Sequence, residues 1–215
     1  TDPIMTNNGY SNMASVIWDA KLNNIAAILD YRENDYKAVF LQVLLLGIYY
    51  KSGNNKTAKE LLEINVGTAY AEYKSTKGFE RELVHRTELP DVFSTGSNLY
   101  GVDKRGVRSK SIVTKTQELF MNHGENFCLE KPFEQLRTFV CVVTDSGTET
   151  WRTKDYKLFR DDVLDALTFA HICALTYEHL PVMNITEDRK HNVKFVFPLV
   201  RDADGNLTRR KEIAS

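Results

Sequence analysis

Apolar and polar positions follow two periods along this chain, and the switches between them mark the predicted elements. Ala14 to Trp18 alternates and is β-branched, Lys21 to Asn24 reads as a turn, and Ile25 to Leu29 resumes the extended pattern, so the first element is a hairpin. Asp35 to Tyr50 then places Tyr36, Val39, Phe40, Val43, Leu44 and Ile48 at helical spacing, and Ser52-Gly53-Asn54-Asn55 ends that helix. Leu61 to Ile64 is a short apolar run interrupted by one carboxylate, Thr68 to Lys77 reads as helix, and Glu82 to His85 as a short strand. Asp91 to Lys110 lacks periodicity and reads as a long loop. Ser111 to Asn122 is an amphipathic helix, Asn126 to Leu129 a short strand, and Pro132 to Val142 a helix with proline in its first turn. Thr144 to Arg152 predicts an extended hairpin with Asp145-Ser146-Gly147 at its tip. Asp161 to Leu180 carries the strongest helical pattern, with Val163, Leu164, Leu167, Ala170 and Leu175 on its apolar side. Beyond Pro181, Val193 to Val200 and Leu207 to Ile213 flank Asp202-Ala203-Asp204-Gly205-Asn206 as a carboxy-terminal hairpin.

This alternation predicts an α/β fold, a mixed central sheet flanked by helices. Residues 1–180 would form the main domain and 181–215 a β-hairpin extension of it. At 215 residues, 42% hydrophobic and 27% charged, the chain can bury a core without disulfides. Cys128, Cys141 and Cys173 lack metal-binding spacing and read as reduced core residues of an intracellular protein. No run reaches the roughly eighteen apolar residues of a membrane helix, and no signal-peptide pattern is visible, so no membrane partner is expected.

Net charge is −1, so total charge does not point to nucleic acid, but its distribution does. Lys104, Arg105, Arg108 and Lys110 cluster around two glycines, and Arg209, Arg210 and Lys211 form a second group. Either these grip a polyanion or they are a solvated loop. The first cluster is the expected DNA contact, through phosphates rather than base edges.

Three acidic positions interrupt apolar surroundings. Glu63 breaks a short strand, where a carboxylate is costly unless paired, protonated or metal-bound; the alternative is a half-exposed strand with Glu63 facing solvent. Asp161 and Asp162 open the apolar helix, either as ligands or as first-turn acids favoured by the helix dipole. Asp165 lies one turn further on and is a supporting acid or a helix-to-loop hydrogen-bond acceptor. Carboxylates brought from separate elements are what hard cations such as Mg²⁺ or Mn²⁺ require, and two such ions roughly 3.5–4 Å apart can drive phosphodiester hydrolysis.

The segment Phe159-Arg160-Asp161-Asp162-Val163-Leu164-Asp165-Ala166-Leu167-Thr168-Phe169-Ala170 resembles the closing motif of the nuclease domain of tailed-bacteriophage terminase large subunits. Leu62-Glu63-Ile64-Asn65-Val66-Gly67 is similar to that family's second motif, Thr1-Asp2-Pro3 to its first, and Phe133 to Phe139 to the segment before its last hairpin. The resemblance spans Thr1 to Ala174. It implies an RNase H-like fold and a viral hydrolase, an endonuclease that cuts double-stranded DNA with two divalent cations, magnesium or manganese, during genome packaging. It implies Asp2, Glu63 and Asp162 as metal ligands and Asp161 as a further catalytic acid that is either a ligand or a ligand's partner. It also implies an ATPase motor in the same parent chain as partner, with the portal and small terminase subunit. The location would be the cytoplasm of the infected bacterium, transiently on the procapsid. The motor's GxxxxGK[ST] loop does not occur in these residues, so the resemblance concerns the nuclease part.

Alternative readings are another RNase H-like nuclease of resolvase or transposase type, or a non-catalytic nucleic-acid-binding virion assembly module. His171 and His179 share a helix and read as packing or surface residues; Trp18 and Trp151 read as core.

Overall fold

The computed structural model describes residues 13–31, 33, 35–90, 93, 99–104, 107–143, 145, 147, 149–154, 160–177, 199–201 and 207–209, with backbone alone at 64–66, 107–109, 150, 199–201 and 207–209. The first predicted hairpin forms as β1 (Met13–Asp19) and β2 (Asn24–Tyr31), antiparallel with a register shift at Ile17/Trp18. Asp19 closes the turn by accepting hydrogen bonds from the amides of Lys21 and Leu22. Asn23, at φ +48°, takes the left-handed conformation that asparagine tolerates. Helix α1 (Tyr36–Tyr49) follows, its first turn capped by the Asp35 carboxylate on the Lys37 amide.

Neighbouring residues in the extended segments belong to opposite cores. Met13, Leu62 and Leu83 pack with Val39, Phe40 and Val43 of α1 and with Tyr70 and Ala71 of α2 (Ile64–Thr76). The residues next to them in sequence, Ala14, Leu61 and Val84, face the other way. Ala14 and Val16 meet Val163, Ala166 and Leu167 of α5 (Asp162–Tyr177), while Leu61, Val84 and Val102 meet its Phe169, Ile172 and Cys173. This is the period-two consequence of extended backbone, and it puts the segments at 13–19, 60–63 and 83–85 between two helical layers. Helix α3 (Val107–His123) joins the α5 layer through Ile112 and Leu119. A hydroxyl–hydroxyl bond of 2.8 Å between Thr116 and Thr168 ties the two helices.

The fold is therefore mixed α/β, but its hydrogen-bonded ladders differ from the continuous central sheet expected. Among the described residues the sheets are two-stranded. Beside them, isolated bridges join Glu60 to Leu83 and Glu63 to Val102 in parallel and His85 to Tyr100 antiparallel. These segments stay short for local reasons: 3₁₀ turns at Glu80–Glu82 and Arg86–Glu88 bracket 83–85, α2 begins directly after Glu63, and Gly101 takes φ +77°.

Four further expectations are corrected. The predicted helix over Pro132–Val142 is α4 (Lys131–Thr138) and then β3 (Phe139–Val143), which pairs with β4 (Glu149–Thr153). The β-branched Val140, Val142 and Val143 favour the ladder over the helix. Asn126–Leu129 forms no strand: a 3₁₀ turn, Gly124–Asn126, drives Phe127 against Trp18 and Phe120. The expected loop over 91–110 ends early, because α3 starts at Val107. Of the three cysteines only Cys173 is buried; Cys128 and Cys141 are exposed.

The chain divides into two units, residues 1–185 and 186–215. The second contains the antiparallel pair β5 (Leu199–Arg201) and β6 (Leu207–Arg209). Among the described residues no helix is long and apolar enough to cross a membrane.

Candidate acidic site

Glu63 is the residue at which an extended segment becomes a helix. Its backbone pairs with Val102, its carbonyl accepts the Gly67 amide at 2.7 Å, and its side chain does not cap α2. The carboxylate is instead turned to an ion pair while 6% exposed. The partner is Lys104, whose Nζ lies 2.8 Å from Glu63 Oε2 and 2.6 Å from Asp165 Oδ2. Two carboxylates from segments a hundred residues apart in sequence thus converge on one ammonium.

The approach of Lys104 depends on a glycine. The Val102 amide donates to the Leu62 carbonyl at 2.8 Å and the Gly101 amide to Val84 at 3.0 Å, so the strand-like segment at 99–102 lies tight against 60–63 and 83–85. A Cβ at position 101 would stand 2.3 Å from the Leu62 oxygen, and the backbone there is already at positive φ. Only glycine satisfies both conditions, and Lys104 follows three residues later.

Helix α5 supplies the other acids. Asp161 precedes it, Asp162 and Asp165 lie in its first turn, and the dipole of the helix favours all three there. One of its leading amides, Leu164 N, is held at 2.8 Å by the side-chain oxygen of Gln135 from α4, which fixes the helix end. Asp162 is 4% and Asp165 8% exposed. Burial, then the neighbouring Asp165, lifts the Asp161 carboxyl to about 6 against the opposing pull of Lys104. Burial raises Asp165 as well, with Lys104 the main opposing influence and Glu63 adding to the rise. Each acid is felt by the others, so the site carries more negative charge than the lysine relieves.

The structure brings Glu63, Asp165 and Lys104 into contact and sets Asp161 and Asp162 beside them. Asp165, expected as a supporting acid, shares the ammonium with Glu63. Asp2 lies outside the described residues. The predicted basic DNA contact divides. Lys104 belongs to the acidic site, Arg105 and the Arg108 side chain lie outside the described residues, and Lys110 is an exposed residue of α3, 3.6 Å from Glu149. Sequence reading assigned Lys104 to a polyanion grip and missed its place among the acids. The signal available was Gly101, a glycine two residues before an acidic–basic pair.

Among the described residues no group of three or more His, Cys, Asp or Glu side chains is arranged to hold a metal ion. Two carboxylates nevertheless reach one cation-sized point, at which the Lys104 ammonium stands in for a cation. The donors are hard oxygens, and magnesium-like ions are commonly held by one or two carboxylates plus waters and substrate phosphates. The donor set at Glu63 and Asp165 fits such an ion. No family model, curated protein or solved structure matches the chain.

Proposed function

We propose that the protein is a divalent-metal-dependent endonuclease of RNase H-like type, cleaving double-stranded DNA as a phage terminase nuclease does. The observation that carries this reading is the convergence of Glu63 and Asp165 on one positive charge at the amino end of α5, with Asp161 and Asp162 alongside. Extended segments between helical layers, with the acids on a buried helix, are compatible with that fold. Glu63 and Asp165 would hold the ion, with Asp161 or Asp162 as further ligands or as acceptors positioning them. Bound magnesium or manganese would supply Lewis-acid polarisation of the phosphodiester and a more acidic water. The chain's own part is to keep the carboxylates buried, rigid and ionised enough to bind.

The non-catalytic alternative draws on the same contact, since a lysine already neutralises two of the acids. Incubation with supercoiled plasmid and Mn²⁺ or Mg²⁺ separates the two. The wild type should nick or linearise the plasmid, and Glu63→Ala, Asp165→Asn and Asp162→Ala should each lose roughly a hundredfold or more. Equal cutting by all four proteins, or no metal-dependent cutting, would overturn the nuclease reading.

A further inference from the structure

We infer that Lys104 is an exchangeable counter-ion that couples metal binding to DNA binding, bridging Glu63 and Asp165 without metal and moving to a DNA phosphate when a divalent ion takes its place. The inference rests on the nuclease reading above and adds what the lysine does.

Three observations carry it. Lys104 Nζ lies 2.8 and 2.6 Å from oxygens of the two acids, where a hard cation would be bound. Its side chain is 30% exposed while those of Glu63 and Asp165 are 8% and 11% exposed, so the ammonium reaches solvent and the carboxylates stay put. Its backbone is anchored by the Gly101 and Val102 bridges, so the head can swing on a four-carbon stem without disturbing the segment. An ion at the carboxylates would repel the ammonium strongly at such short range. The nearest chemistry able to accept it is the polyanion the site is proposed to cut. Coupling of this kind is reciprocal: DNA that accepts Lys104 tightens the ion by the same factor.

The test measures binding rather than cleavage, using Ca²⁺ as the ion and a short fluorescein-labelled duplex as the DNA. Without metal, wild type and Lys104→Met should show the same dependence of DNA affinity on salt, because the lysine is engaged internally. With Ca²⁺ the wild type's log–log salt slope should exceed the variant's by about 0.9, the contribution of one phosphate contact. Lys104→Arg should restore that increment. Calorimetry without DNA should show Lys104→Met binding Ca²⁺ roughly fivefold more tightly, since its competitor is gone. The inference is overturned if the two slopes remain equal in Ca²⁺, or if Lys104→Met binds the ion more weakly than wild type, which would make the lysine a fixed organiser of the acids. If Lys104→Met does not fold, the wild type decides alone, and a slope unchanged by Ca²⁺ overturns the inference. Absence of any Ca²⁺ or Mn²⁺ binding to wild type would remove the metal site and this inference together; normal metal binding and cleavage with no lysine-dependent slope would remove only the inference.

Discussion

Asp161 bears the cost of standing next to other acids. Its carboxyl sits at about 6 in the folded chain and at an ordinary 3.8 otherwise, burial being the first cause. Because the folded value is the higher one, this group favours the fold below pH 3.8, and that advantage is lost as pH rises through about 6. At pH 8 Asp161→Asn should therefore stabilise the protein by about 1–2 kcal/mol, discounted for partial exposure, while lowering metal-dependent cleavage. The readout is a pair of thermal melts at pH 8 and pH 4, the gain disappearing at the lower pH. A variant no more stable at pH 8 would mean that the lysine already balances the charge. The identity of Asp161, Asp162 and Glu63 as out-of-place acids could be read from the sequence, because each interrupts an apolar pattern. The sharing of one ammonium by Glu63 and Asp165 could not, because it depends on where a segment without periodicity folds back.

At the level of elements, the sequence marked those whose pattern is long. Helices α1 and α5 and the β1–β2 hairpin lie close to their predicted positions, since repeated apolar spacing outweighs any one residue. Where a pattern was short, context decided. The β3 strand was read as helix because Pro132 opens a helix whose end is set only by pairing with Glu149–Thr153. The 99–102 segment was read as loop because bridges of one residue each leave no alternation to detect. Gly101 is where that segment is most exposed to change. Gly101→Ala meets both a positive φ and the Leu62 carbonyl, and should cost about 2–3 kcal/mol or more in denaturant unfolding. It should also weaken Mn²⁺ binding by shifting Val102 and Lys104 away from Glu63. Unaltered stability would mean that the backbone flips to accommodate the methyl.

Across the whole molecule, the two helical layers and the hairpin meet at a group of rings. His171 of α5 packs edge-on against Trp18 of β1 and His123 of α3, at centroid distances of 5.7 and 5.8 Å. It is 6% exposed, and burial, reinforced by His123 and Lys115 and opposed by Glu118, lowers it to about 4 from 6.5. The folded value is the depressed one, so its contribution is complete above pH 6.5 and is lost as pH falls toward 4, when the unfolded chain takes up the proton first. Unfolding of the wild type should be easier at pH 4.5 than at pH 7, and His171→Phe should flatten that dependence. Asp161 acts in the opposite sense over part of this range, so the comparison is made between wild type and variant at each pH. Equal slopes in the two proteins would place the acid sensitivity elsewhere.

Helix α5 is buried from Asp162 to Phe169 and touches both the β1–β2 hairpin and the bridged segments. Its backbone amides should therefore be among the last to exchange with deuterium, since they open only when much of the surrounding fold opens. The acids at its amino end would then be carried by a slow-exchanging unit, and their spacing would persist through the partial openings that free surface segments.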